Sequence, residues 1–95
     1  MDLRRLQFLV RVIDTGSITR AAAALRIAQP ALSQHMQTLE RSAGAKLLIR
    51  HQDGVTPTEA GLIAYRNAKL LTRQLERARM EVRTLAAVPT GRVTD

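Results

Sequence analysis

A chain of 95 residues with 45% hydrophobic content can build one modest core, which argues against wholesale disorder. Aromatics make up 2% (Phe8 and Tyr65) and cysteine is absent, so packed helices are favoured over an aromatic-rich sandwich, and a disulfide framework or thiolate metal site is excluded. A formal charge of +7 implies a polyanionic partner, nucleic acid or membrane surface, or else a basic exterior kept for solubility.

The first element is read from apolar spacing. Leu3, Leu6, Leu9, Val10 and Ile13 recur at helical intervals, with Arg4, Arg5, Gln7 and Arg11 on much of the other side. A helix is predicted over about 2–14. Phe8 and Val12 form a second apolar pair, so it should pack on two sides. No apolar run follows Met1, so no secretory leader is read and a cytoplasmic location is expected. Gly16 suits the helix stop and Ser17 an N-cap. A short alanine-rich helix follows, ending near Leu25, with side chains small enough for a close neighbour. The turn falls on Arg26, Ile27 and Ala28.

The next helix should start at Gln29 or Pro30, since proline is tolerated in a first turn. Leu32, Met36 and Leu39 form its inner side; Ser33, Gln34, Gln37 and Arg41 lie opposite. Gly44 suits its end. Leu47, Leu48 and Ile49, the Asp53-Gly54 turn signal, then Val55 and Thr56 read as a two-stranded hairpin. Thr58 is a candidate N-cap. From Glu59 to about Ala86 there is no proline and one glycine, which predicts a helix roughly 40 Å long. Ala64, Ala68, Leu71, Leu75, Ala78, Val82 and Leu85 alternate spacings of four and three, a coiled-coil seam. Pro89, Thr90 and Gly91 should end it. The whole reads as mostly α: a winged helix-turn-helix over 1–58 (three helices plus a two-stranded wing), a linker and dimerisation helix over 59–87, and a hinge over 88–95.

Two short helices around a turn of three residues make a helix-turn-helix, although Arg26 stands where glycine is common. Reading the major groove needs short or amide side chains at the start of the second helix. Gln29, Ser33, Gln34 and Gln37 supply donors and acceptors for base edges, and Ala31 can touch a thymine methyl. Ser17, Thr19, Arg20, Arg50 and Thr56 would hold phosphates from the rim. A polar helix face is more often plain solvated surface. The turn spacing, Arg50 at the hairpin edge and the local charge together favour DNA: between Thr15 and Gln52, Arg20, Arg26, Arg41, Lys46 and Arg50 stand against Glu40 alone. The long helix overshoots a small globule, so its far end needs a partner, most simply a second copy. An oligomerisation module without DNA binding is the competing reading. His35 and His51 are the only histidines and have no acidic cluster beside them, so neither a metal site nor catalysis is expected.

Several stretches resemble the N-terminal domain of LysR-type transcriptional regulators. They are Phe8 with Val12; Gly16-Ser17-Ile18-Thr19-Arg20-Ala21-Ala22; Ala28-Gln29-Pro30-Ala31-Leu32-Ser33-Gln34; Leu39-Glu40; Gly44; Leu47-Leu48-Ile49-Arg50; and Val55-Thr56-Pro57-Thr58-Glu59-Ala60-Gly61. Pro57 replaces a usual leucine, Leu48 a common aromatic, and Ser42-Ala43 a frequent Glu-Leu. Residues 27–34 and 55–61 look similar to nitrogen assimilation control regulators. The resemblance implies a partly palindromic, A·T-rich site bound by dimers or tetramers, with RNA polymerase as a further partner. It implies that Gln29, Pro30, Ser33 and Gln34 contact bases and that Ser17, Arg50 and Thr56 contact the backbone. It also implies that an effector domain binding a small molecule follows, so that this chain is a fragment with no cofactor of its own.

Overall fold

A computed structural model describes residues 1–88 of the chain. Its order is α1 (Leu3–Thr15), α2 (Ile18–Leu25), α3 (Gln29–Ala43), β1 (Leu48–His51), β2 (Gly54–Pro57) and α4 (Glu59–Ala86). The predicted hinge at 88–95 lies outside the described residues apart from Val88.

Side-chain caps set the starts of α1, α2 and α4. Asp2 Oδ1 accepts from the Arg5 backbone N–H at 2.9 Å, so Asp2 caps α1 from just outside it. That bond, followed by the Arg5 guanidinium, holds the Asp2 carboxyl below the usual carboxylate range. Ser17 Oγ accepts from Arg20 N at 3.1 Å, and Thr58 Oγ1 from Gly61 N at 2.9 Å. Helix α2 ends on Arg26, whose backbone is left-handed at φ 60° and ψ 43°.

The core gathers the inner sides of all the elements. Leu9, Val12, Ala21, Leu32, Met36, Leu39 and Leu47 are almost wholly excluded from solvent, and Leu6, Phe8, Ile18, Leu48 and Val55 close it. Phe8 and Val12 are both buried, as a helix packed on two sides requires. The small side chains of Ala21 and Ala22 are buried too, where α2 meets α1 and α3.

The strands pair antiparallel with Leu48 opposite Pro57 and Arg50 opposite Val55. Two close approaches dock this ribbon. Val55 N donates to the Gly16 carbonyl at 3.0 Å, beside Gly54 at φ 139°. A Cβ on Gly54 would collide with that same Gly16 oxygen, so the approach requires glycine. At Gly61, a Cβ would strike the Leu47 carbonyl, where α4 leaves the ribbon.

Helix α4 makes the molecule long. The extents are 61 × 26 × 18 Å and the radius of gyration is 17.5 Å. A compact chain of this length would have about 12 Å. Ala68, expected on the pairing seam, is fully buried against α1 of its own chain. The correction has a steric cause: at an alanine, two helix backbones can come close, and here the neighbour is intramolecular. Packing against α1 thus runs along α4 as far as Ala68 and Thr72.

Candidate nucleic-acid interface

The second helix of the helix-turn-helix presents an uncharged polar side. Leu32, Met36 and Leu39 point into the core, which turns Gln29, Pro30, Ala31, Gln34 and Gln37 outward, all exposed. Ser33 is half-buried and its Oγ accepts from Gln29 Nε2 at 3.4 Å. No side chain caps this helix: Ala28 precedes it and makes no side-chain hydrogen bond. Its positive dipole end therefore remains open toward an incoming anion.

Around this helix the structure brings some rim residues together and separates others. Thr19 and Arg20 are exposed on the first turn of α2, and Ser17 is half-buried at its cap. Ser17 Oγ accepts from the backbone, so its hydroxyl proton remains a donor. The Val55–Gly16 bond sets β2 beside this cap, and Thr56, next to Val55 in that strand, is exposed. Arg50 is exposed, but it pairs with Val55, whereas Thr56 pairs with Ile49. Directly opposed residues share a face, so Arg50 and Thr56 project from opposite faces of the ribbon.

Two positioning features were not read from the sequence. The Glu40 side chain, 14% exposed, reaches from α3 to β1. Its Oε2 accepts from Leu47 N at 2.9 Å and Leu48 N at 3.2 Å, while Oε1 sits 3.7 Å from Lys46 Nζ. The end of α3 is thereby fastened to the start of the wing. The signal was its isolation, one acid in a basic stretch. On the other flank, His35 Nδ1 accepts from Arg5 Nε at 3.1 Å and its ring meets Phe8 edge-on at 5.2 Å. These contacts tie α3 to α1; nothing in the sequence pairs two residues so far apart. Among the described residues no group of three or more His, Cys, Asp or Glu could hold a metal, and no helix is long and apolar enough to cross a membrane.

Three helices, with a two-stranded ribbon docked beside the exposed second helix of the helix-turn-helix, define a winged helix-turn-helix protein. The model of the bacterial regulatory helix-turn-helix proteins of the lysR family matches residues 3–62, and the chain belongs to that family. It is 49% identical over 94 residues to the nitrogen assimilation regulatory protein nac of Klebsiella aerogenes, a match covering 99% of this chain and 31% of that protein. This agrees with the likeness read at 27–34 and 55–61. The chain spans about a third of the length of such curated relatives. Among solved structures, BenM_DBD in its complex with catB site 1 DNA superposes with a TM-score of 0.88 at 35% identity, covering 94% of this chain and 99% of that one. CbnR_DBD in a DNA complex gives 0.86 at 30% identity, covering 90% and 99%.

Proposed function

We propose that this chain is the DNA-reading head and pairing helix of a transcription regulator that binds a partly palindromic, A·T-rich site as a homodimer. The observation that carries this reading is the outward, uncharged amide and hydroxyl side of α3. Gln29, Pro30, Ala31, Ser33, Gln34 and Gln37 would meet base edges, where an uncharged face discriminates rather than merely adheres. Ser17, Thr19, Arg20, Arg50 and Thr56 would hold phosphates. Because Arg50 and Thr56 leave the ribbon on opposite faces, they would engage different phosphates on either side of the wing.

Pairing is assigned to the part of α4 that no other element among the described residues covers. Val82 and Leu85 are 66% and 65% exposed, and Leu71 is exposed as well. Leu75 is half-buried, Ala64 half-buried against the core, and Ala78 exposed. With Ala68 used inside the chain and Ala64 packed against its core, the pairing face consists of Leu71, Leu75, Ala78, Val82 and Leu85. Burying each larger apolar side chain there would contribute about 1.5–3 kcal/mol before the cost of association. In the longer protein, an effector domain binding a small molecule, tetramer formation, contact with RNA polymerase and a cytoplasmic location complete the reading. The solved DNA complexes of similar chains support it.

The test is selection of bound duplexes from a random pool, followed by measurement with Gln29→Ala and Ser33→Ala. Each variant should lose about 1–3 kcal/mol of discrimination, about 5- to 160-fold, with little change on random duplex. Full sequence preference in both variants would remove α3 as the reading element.

A further inference from the structure

Two polar ties join α4 to the head. Tyr65 Oη donates to Asp14 Oδ1 at 2.6 Å, a short bond to a charged acceptor, and Lys69 Nζ lies 3.4 Å from the same phenol oxygen. Gln7 Nε2 donates to Thr72 Oγ1 at 3.4 Å. The ties have a common register. Seven residues separate Gln7 from Asp14 on α1 (14 − 7), and seven separate Tyr65 from Thr72 on α4 (72 − 65), running in opposite directions. Both helices therefore advance about 10.5 Å between ties, antiparallel. Between Tyr65 and Thr72 lies Ala68, fully buried. The side chains that seat this part of α4 on the core, Ala60, Ala64 and Ala68, are all small, and such contacts oppose a change of crossing angle less than interdigitated large side chains do. Two bonds astride Ala68 do resist.

The leverage is large. Beyond Ala68 the helix continues to Ala86, about 27 Å. A tilt of about 10° at Ala68 would swing that end by about 5 Å, more than one base-pair step of about 3.4 Å. We propose that the Asp14–Tyr65 and Gln7–Thr72 ties set the distance between the two reading helices of the dimer, and so determine which half-site spacing is accepted. This rests on the dimeric DNA-reading assignment above. Neither pair touches the reading side of α3, so half-site sequence preference should be independent of the ties.

The experiment uses the half-site recovered by selection, built into duplexes whose two copies are separated by the preferred spacing or by one to four extra base pairs. Binding is compared for the unaltered chain, Tyr65→Phe and Tyr65→Phe/Thr72→Val, which keep side-chain shape. The unaltered chain should favour one spacing at least tenfold over a duplex lengthened by two base pairs. In the double variant that ratio should fall below about threefold, with half-site sequence preference unchanged and Tyr65→Phe intermediate. Spacing preference retained in both variants would overturn the inference and leave DNA reading intact, as would an unaltered chain that binds its half-sites but ignores spacing. Failure of the unaltered chain to prefer any duplex would remove the DNA-reading assignment and this inference with it.

Discussion

Arg26 holds a backbone conformation that is unfavourable for its own side chain yet is the one the turn between α2 and α3 uses. At φ 60° it closes α2 in the left-handed region, with its backbone N–H donating to the Ala23 carbonyl at 3.2 Å and the next N–H, of Ile27, to Ala22 at 3.0 Å. Glycine usually fills such a position, because a Cβ costs about 1–2 kcal/mol there. Arg26→Gly should therefore stabilise the fold by about 1 kcal/mol after the added freedom of the unfolded chain is offset. Thermal unfolding should register this as a midpoint several degrees higher; an unchanged or lower midpoint would mean that the Arg26 side chain supplies a compensating contact. The turn at 26–28 was legible from the sequence. Its strain was not, because backbone handedness at a non-glycine follows from where α3 must pack.

At the scale of elements, the caps were legible and the docking was not. Ser17 and Thr58 act as predicted because an N-cap needs just a hydroxyl and the three residues after it. The hairpin was legible from Asp53-Gly54, although its pairing of His51 with Gly54 puts the turn one residue earlier, and its attachment depends on Glu40, seven and eight residues before the N–H groups it serves. Removing that carboxylate leaves the Leu47 and Leu48 N–H groups short of their acceptor in a partly buried site. Glu40→Ala should destabilise by about 2–3 kcal/mol, and Glu40→Gln by less, since the amide oxygen can still accept. Urea unfolding at constant m-value would measure both. Equal losses from the two variants would assign the effect to the ion pair with Lys46, although a pair whose lysine is 81% exposed contributes little.

At the scale of the whole molecule, an extent of 61 Å against 26 and 18 Å leaves the end of α4 projecting from the head. Exposed pairs such as Arg77–Glu81 at 3.3 Å and Arg79–Glu76 at 3.5 Å support the helix by a few tenths of a kcal/mol each, too little to organise its apolar side. A second copy is the proposed cover, and Leu75→Glu places a charge within the pairing face. Sedimentation should then find a monomer at concentrations where the unaltered chain dimerises; an intact dimer would move the interface elsewhere.

The sequence by itself determined which segments become helices, that Ser17 and Thr58 cap two of them, that a two-stranded ribbon follows α3, and that the outward face of α3 would carry amides and hydroxyls. Those properties depend on spacing and on neighbours within a few positions. Tertiary structure alone decided that Ala68 faces its own α1, that Arg50 and Thr56 leave opposite sides of the wing, and that Asp14 meets Tyr65. Each is a contact or orientation fixed by how finished elements pack, and the period of one helix or strand does not specify what lies across from it.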